Sequence, residues 1–169
     1  MTSKKMVLTF CALFLLLPGY SNAFNSADVT RIKNLPDCPN CDLSGADLYG
    51  VKKHQANFSN ANMARINLSD ATLLESNLTN VDLTNANLAN TSLRRADLSN
   101  ANLTKARMTN TWLAGANLRD ANLTNANLMG ANMKDADLTG ANLTGANFYN
   151  ATWINGARCK EGSIGKCVQ

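Results

Sequence analysis

The chain of 169 residues has few of the side chains on which catalysis and large cores usually depend. Aromatic residues make up only 6% of it, three residues are proline, and there is a single histidine. Although 45% of the residues are apolar, most of these are alanine or leucine, so a core of mixed large side chains is not expected. Without a base–nucleophile pair, paired carboxylates or a glycine-rich phosphate loop, no catalytic residue, metal site or cofactor is predicted.

A strong charge of one sign is missing as well. The formal net charge is +4, from 16 basic and 12 acidic side chains. Two of the basic residues, Lys4 and Lys5, lie in a segment that we expect to be removed, which leaves a nearly neutral chain. Such a chain has neither the positive field that steers proteins to nucleic acid nor the acidity needed to imitate it, so no nucleic-acid partner is expected.

Residues 1–23 predict a secretory signal peptide. Lys4 and Lys5 precede an apolar run from Met6 to Leu17, which is followed by the small-residue triplet Ser21-Asn22-Ala23. This run is shorter than the roughly 20 apolar residues that a membrane-spanning helix needs. We therefore expect an exported protein, periplasmic or secreted, that begins at Phe24 and has no membrane span.

A five-residue repeat runs through residues 41–155 without an insertion. Of its 23 units, 16 have leucine at the centre and 16 have alanine two residues earlier; Asn or Asp stands between the two in 17, and Asn, Asp or Gly ends the unit in 18. On an α-helix, five residues would rotate the apolar pair by about 140° per unit, and on a continuous strand the pair would change sides. Each unit must therefore be a short extended piece followed by a corner, where Asn, Asp and Gly are favoured.

These units, for example Ala116-Asn117-Leu118-Arg119-Asp120, closely resemble those of the pentapeptide-repeat family. The resemblance implies an all-β solenoid, namely a right-handed quadrilateral β-helix with four units per coil. At about 4.8 Å per coil, 23 units would form a rod roughly 27 Å long.

Both ends of the implied rod are predicted to be capped. Residues 24–40 form the expected N-terminal cap, with a short capping helix between Ser26 and Leu35. Residues 156–169 form the expected C-terminal tail. The large apolar groups of Phe148, Tyr149, Trp153 and Ile154 are expected to plug that end of the tube, and a homodimer through the C-terminal end is the alternative use of these residues.

Four cysteines remain after the signal segment, which contains Cys11. An even number in an oxidising compartment favours disulfides over a metal site. On the implied rod, Cys38 and Cys41 lie at one end and Cys159 and Cys167 at the other, so we expect each pair to form its own disulfide. Cys38 and Cys41 also form a C-x-x-C motif, which leaves a redox accessory factor as an alternative.

With four units per coil, residues 20 apart in sequence share one face. The least regular face is centred on Lys53, Leu73, Leu93, Leu113, Met133 and Trp153. It is predicted to be a protein-contact patch, with sequence drift as the alternative, and its candidate residues are Lys52, His54, Arg94, Arg95, Trp112 and Lys134. Lys53 stands at an inward position and must reach solvent, find a partner or mark a local bulge.

These features together predict a noncatalytic exported scaffold that presents a rigid polar surface to an unidentified protein. The alternative comes from the resemblance, because some pentapeptide-repeat proteins imitate DNA and protect a type II topoisomerase. That role implies a cytoplasmic and strongly acidic rod, and this chain has a predicted export signal and a slightly basic composition.

Overall fold

The computed structural model describes residues 37–169, in which the chain winds into a four-sided tube. Parallel β-bridges join residues that are 20 apart, from the Asp42–Asn62 bridge to the Asn132–Thr152 bridge. Four units therefore make one coil, as the resemblance implied. Within the described residues there is no helix, and strand pairing consists of isolated bridges. The predicted signal peptide and capping helix lie outside the described residues.

Each corner of the tube is a tight turn closed by a backbone hydrogen bond. In a representative unit, the Ala61 N–H donates to the Phe58 carbonyl at 3.1 Å, and Asn60 has a φ of 57°. Asn60 is the third of the four residues in this turn, and a positive φ at that position is typical of a type II turn. Because Asn, Asp and Gly tolerate this backbone conformation, it accounts for their preference at the last place of the unit.

We number the four faces in chain order by the central residues of their units. Face 1 is centred on Leu43, Met63, Leu83, Leu103, Leu123 and Leu143. Face 2 is centred on Leu48, Leu68, Leu88, Met108, Leu128 and Phe148, and face 3 on Lys53, Leu73, Leu93, Leu113, Met133 and Trp153. Face 4 is centred on Phe58, Leu78, Leu98, Leu118 and Leu138. The first and third residues of most units are buried, and the second, fourth and fifth lie outside.

The core is one column of stacked side chains, and the few polar groups in it have partners. Thr91 and Thr111 replace alanine at fully buried positions. Their hydroxyls donate to the carbonyls of Leu68 and Leu88 at 2.6 and 2.8 Å. A buried polar group costs stability mainly when it lacks a partner, so these substitutions are compatible with the packed tube.

The regular coil begins earlier than residue 41, the boundary predicted from the sequence. Cys38 occupies the central place of a preceding unit, where its N–H donates to the Asn57 carbonyl at 2.8 Å. Asn40 has the corner conformation, with a φ of 60°. Cys38 and Cys41 are disulfide-bonded, with Cα atoms 5.5 Å apart, and both are buried. This disulfide therefore lies within the wall of the first coil.

The last coil is covered by the tail, which reverses direction. Antiparallel bridges join Asn147 to Ile164 on face 2 and Thr152 to Arg158 on face 3. A disulfide between Cys159 and Cys167, with Cα atoms 5.1 Å apart, ties the tail to itself as expected. The tail covers only these two faces.

The other two faces of the last coil keep an open edge. Their central leucines, Leu138 and Leu143, are only partly buried. The N–H groups of Leu138, Gly140, Leu143 and Gly145 find no acceptor in residues 37–169.

Two of the four residues expected in the C-terminal plug form it. Phe148 is fully buried, and its ring meets that of Trp153 edge to face with centroids 5.1 Å apart. The expectation is wrong for Tyr149 and Ile154, which are 47% and 36% exposed. Both occupy outward-facing places of their units, so the repeat pattern directs them to solvent despite their size.

Lys53 does not produce a bulge. Its N–H donates to the Thr72 carbonyl at 2.7 Å, as a leucine would at this place. The following turn differs, because the Ala56 N–H donates to the Ser76 hydroxyl at 3.2 Å instead of closing on the Lys53 carbonyl. The lysine side chain is half-buried. The substitution thus changes one turn and leaves the pairing between coils intact.

Candidate protein-contact face

On faces 1, 2 and 4, side chains in the second place of nearly every unit form hydrogen bonds that hold the outer surface. The Asn102 Oδ1 accepts the Thr104 N–H at 3.2 Å, and the Asp97 Oδ1 accepts the Ser99 N–H at 3.0 Å. A threonine in the fourth place adds its hydroxyl, as Thr124 does by donating to Asn122 Oδ1 at 2.6 Å. We call this second-place carboxamide or carboxylate the Asx cap, and it satisfies an outward backbone N–H that would otherwise face solvent.

One Asx cap on face 4 has a strongly perturbed carboxyl. Asp137 accepts hydrogen bonds from the hydroxyl and the N–H of Thr139, and Arg119 Nη1 approaches its other oxygen at 3.1 Å. These contacts, the Thr139 hydroxyl first among them, lower the pKa of Asp137 to about 2. Asp137 therefore remains negatively charged over the whole physiological pH range.

Face 3 has lost most of its Asx caps. Five of its six units place another residue there: Lys52, Thr72, Ser92, Trp112 and Thr152. Only Asn132 remains, and it accepts the Lys134 N–H at 3.1 Å. Everywhere else in the repeat, just one unit departs in this way, at Arg107. The irregularity seen in the sequence is thus concentrated in one place of the unit and on one face.

Loss of the caps leaves a row of backbone donors along face 3. The N–H groups in the fourth place find no acceptor among residues 37–169 in five units: His54, Leu74, Arg94, Ala114 and Ile154. The first four donors are each one coil apart, about 4.8 Å along the tube, and Ile154 lies two coils beyond Ala114. Face 3 can therefore donate hydrogen bonds to an external partner in a way that the capped faces cannot, since each open N–H could pair with a carbonyl or carboxylate oxygen from outside.

All six predicted contact residues lie on face 3 or at its edge with face 4, but they do not form one cluster. Arg94, Arg95, Trp112 and Lys134 occupy three successive coils. Lys52 and His54 lie in the first coil, separated from them by the coil that contains Leu74. Of the six, Lys52 and Trp112 stand in the second place of their units, where the Asx cap is missing.

The exposed side chains of this group differ in their partners. Trp112 is 51% exposed. Arg95 forms an exposed ion pair with Glu75 at 3.5 Å, whereas Arg94 and Lys134 form none within residues 37–169. A half-exposed tryptophan beside unpaired basic groups is typical of a protein-contact surface.

The charges are distributed unevenly among the faces. The units of face 3 carry five basic and two acidic residues, and those of face 4, with Asp37, carry one basic and four acidic residues. Faces 1 and 2 are nearly neutral. Composition alone hides this separation, because the charges of the two faces cancel.

Sequence reasoning missed a second set of exposed apolar residues, on face 2. Tyr49, Met129 and Tyr149 are 56%, 40% and 47% exposed, all in the fourth place of their units. Met129 and Tyr149 lie in neighbouring coils, and Tyr49 lies near the opposite end of the tube. The exposure of these residues could have been predicted from the sequence, because the corner of each unit directs the fourth residue outward.

Residues 37–169 contain no group of three or more His, Cys, Asp or Glu side chains that could hold a metal ion. No helix within these residues is long and apolar enough to cross a membrane. The two cysteines of the C-x-x-C motif are 3% and 2% exposed, so their disulfide is shielded from an external thiol.

Comparison with known proteins agrees with this architecture. A family model described as pentapeptide repeats matches in eight copies, over residues 37–62, 54–88, 82–120 and 116–152. Rfr23, a pentapeptide repeat protein from the cyanobacterium Cyanothece 51142, is 31% identical in sequence to this chain, and its crystal structure matches with a TM-score of 0.59. The match covers 75% of this chain and 97% of that one.

Two further solved structures match over a similar share of the chain. HetL of Nostoc sp. strain PCC 7120, involved in heterocyst differentiation regulation, is 29% identical over 72% of this chain and 68% of its own, with a TM-score of 0.33. QnrB1, a plasmid-mediated fluoroquinolone resistance protein, is 22% identical over 68% and 69%, with a TM-score of 0.48. Both scores are too low to support an argument about function. Among curated proteins, none matches the chain.

The repeat, the four-sided tube and the matches point to the same fold, the right-handed β-helix of these structures. The chain belongs to the pentapeptide-repeat family.

Proposed function

We propose that this protein is an exported, noncatalytic scaffold that binds another protein through face 3. The observation that carries the proposal is the concentration of missing Asx caps on this face, which has five of the six in the repeat. Their loss leaves a row of open backbone donors beside Trp112, Arg94 and Lys134. Drift in a tolerant repeat would be expected to remove caps from all four faces at similar rates. Concentration of the losses on one face is what selection for an external contact would produce.

The chemistry of face 3 suits a protein partner. Tryptophan and arginine are enriched among the residues that contribute most to protein–protein binding. The open N–H groups can donate hydrogen bonds to carbonyl or carboxylate oxygens of a partner. The rigid coil holds these groups at fixed spacing, so little conformational freedom is lost on binding.

Neither alternative function gains support from a specific feature. Units from residue 36 to 155 contain nine basic and ten acidic residues, so the tube lacks the strongly acidic surface needed to imitate DNA. A redox function would need an accessible C-x-x-C pair, and Cys38 and Cys41 are buried.

The binding face is tested by a variant that restores the consensus, Arg94→Ser with Arg95→Asn and Trp112→Asn. Asparagine at 112 supplies the missing cap, and asparagine at 95 suits the positive φ of 55° found there. We expect the thermal unfolding temperature to stay the same or rise. Recovery of the partner by the purified variant from extracts of the native cells should fall at least tenfold.

A photo-crosslinking residue supplies the control for this experiment. p-Benzoylphenylalanine at Trp112 is expected to yield an adduct with a specific protein in cell-envelope extracts. The same residue at Asn102, in the second place of a face 1 unit in the same coil, should yield none. Equal adducts from both positions, or undiminished recovery by the consensus variant, would remove face 3 from the proposal.

A further inference from the structure

We propose that two adjacent open donors on face 3 form a site for a single carboxylate, which an Asp or Glu side chain of the partner protein supplies. The inference rests on the proposed function and deepens it, because it names the chemistry that the partner must present. We call this the Ala114 site and define it by Ser92, Arg94, Trp112, Ala114 and Lys134. All five belong to three successive units of face 3.

The site begins with two backbone N–H groups that lie side by side. The N–H groups of Arg94 and Ala114 find no acceptor within residues 37–169, because Ser92 and Trp112 stand where an Asx cap would accept them. Since Arg94 and Ala114 occupy the same place in adjacent coils, their nitrogens are about 4.8 Å apart. A carboxylate has two acceptor oxygens, so one such group can accept a hydrogen bond from both donors.

The other faces provide no such pair of donors. Faces 1 and 4 keep Asn or Asp in the second place of every unit. Face 2 has one open donor of this kind, the Thr109 N–H. Its counterparts in the adjacent coils, the Ala89 and Met129 N–H groups, donate to asparagine side chains at 3.2 and 3.1 Å. In the part of the chain that the structure describes, open fourth-place donors in adjacent coils are therefore confined to face 3.

Positive charge favours an anionic acceptor at this site. Arg94 and Lys134 take the same place of the unit as Ala114, in the coils on either side of it. Both side chains are exposed, and neither forms an ion pair within the described chain. An N–H group binds a carboxylate more strongly than a neutral carbonyl, and nearby cations add to the attraction. A carboxylate therefore suits the two donors better than an uncharged segment does.

Small residues make the site accessible. Ala114 and Gly115 form the last two places of their unit, where the other units of face 3 have larger side chains. Gly115 is exposed, and a Cβ added to it would have Arg95 Cγ as its nearest neighbour, at 3.5 Å. Trp112, two residues before Ala114, is 51% exposed and offers an apolar surface to the methylene groups of a glutamate. A side chain can therefore approach the Ala114 N–H past the tryptophan.

Acidic residues on both sides limit the site to one carboxylate. Glu75 lies one coil before the site and pairs with Arg95 at 3.5 Å, and Asp135 lies one coil beyond Gly115. A run of anionic groups along face 3 would meet these carboxylates and be repelled. The exposed apolar surface of Trp112 and Ile154 also suits a protein better than a sulfated polysaccharide. The site thus fits an isolated Asp or Glu flanked by apolar residues.

Two short peptides test the carboxylate directly. Acetyl-Leu-Glu-Leu-amide carries one side-chain carboxylate, and acetyl-Leu-Gln-Leu-amide replaces it with a neutral group of similar shape. Each is titrated into the purified, nitrogen-15-labelled chain with its disulfides intact, and the amide resonances are followed by NMR. We expect the Glu peptide to move the Arg94 and Ala114 amide protons downfield and the Gln peptide to bind about tenfold more weakly. The capped amides of Thr104 and Thr124 on face 1 should not move.

Matched variants at one position separate the open donor from its surroundings. Ser92→Asn supplies an Asx cap for the Arg94 N–H, whereas Ser92→Ala leaves this N–H open. Neither variant changes the charge of the site or removes Trp112. We expect Ser92→Asn to raise the Kd for the Glu peptide about tenfold and Ser92→Ala to keep the wild-type value. Both should remain folded, because the second place of the unit points outward and most often holds asparagine elsewhere in the repeat.

The second donor is tested in the same way, at Trp112. Trp112→Asn and Trp112→Ala both remove the indole ring, but only the asparagine caps the Ala114 N–H. The asparagine variant should therefore bind the Glu peptide more weakly than the alanine variant. The native partner provides a further readout, since its recovery from cell-envelope extracts should fall with Ser92→Asn and not with Ser92→Ala.

Several outcomes would overturn the carboxylate site. Arg94 and Ala114 resonances that stay in place with about 10 mM Glu peptide would do so, as would equal shifts with the Gln peptide or equal Kd values for Ser92→Asn and Ser92→Ala. A heparin tetrasaccharide that moves these amides when the Glu peptide does not would assign the site to a polysaccharide. If Trp112 crosslinks to a protein that Ser92→Asn recovers as well as the wild type, the proposed function stands and the carboxylate site fails. If Trp112 captures nothing and neither peptide binds, both fail.

Discussion

Single residues in this protein have roles that follow from their place in the five-residue unit. The sequence explained the last place, since a corner favours Asn, Asp and Gly. It did not explain the Asn or Asp of the second place, whose Oδ1 accepts the N–H two residues later, as Asn122 does for Thr124. A sequence shows the preference for Asn or Asp at this place. The hydrogen bond that their Oδ1 accepts is seen only in the structure of the turn.

Replacement of one Asx cap measures its contribution. We expect Asn122→Ala to lower the free energy of unfolding by about 1 kcal/mol, because the Thr124 N–H and hydroxyl both lose their acceptor. Asn122→Asp keeps the acceptor and should change stability by less than half as much. Thermal and denaturant melts of the two variants supply the comparison, and equal losses would show that the cap acceptor is not what stabilises the turn.

At the scale of an element, the coil was more predictable than its ends. Strict spacing fixed the inward leucines, because a single misplaced residue would turn a whole unit outward. The four units per coil were expected from the resemblance to the pentapeptide-repeat family. The tail lacks a repeat, and its antiparallel return over faces 2 and 3 could not be deduced from composition or spacing. The cysteine pairs were predicted because the rod separates its ends by more than a disulfide can span.

The tail disulfide is expected to hold this return in place. Cys159→Ser with Cys167→Ser should lower the free energy of unfolding by about 2 kcal/mol, from the entropy of the released loop. Hydrogen exchange should quicken at the Phe148 and Asn150 amides, which donate to Ser163 and Cys159 of the tail. In the control, Cys38→Ser with Cys41→Ser, these two amides should exchange at the wild-type rate. Unchanged exchange in the tail variant would mean that backbone bridges suffice to hold the tail.

For the molecule as a whole, the sequence predicted the tube and the irregular face but not the arrangement of charge. Arg94 and Asp97 are near neighbours in the chain and contribute nothing to the net charge, yet the corner between them places them on different sides. The significance of face 3 also needed the hydrogen bonds. Where the second-place asparagine is missing, the fourth-place N–H is an open donor only if no other acceptor reaches it.

Export and oxidation can be tested together by the intact mass of the native protein in separated cell fractions. We expect a chain that begins at Phe24, lies outside the cytoplasm and is four hydrogens lighter than its reduced form, since two disulfides are present. Reduction followed by alkylation should add four alkyl groups and provides the control. A full-length cytoplasmic chain with free thiols would contradict the proposed export.

The coil of four units also limits how such a protein can change in length during evolution. Insertion or deletion of one unit shifts every later residue by a quarter turn. The part of a binding face that follows the change would then move to a neighbouring face. The tail would likewise settle on a different pair of sides. Only gains or losses of 20 residues leave the later part of the face aligned with the earlier part. Relatives that keep the same working surface should therefore differ in length by whole coils.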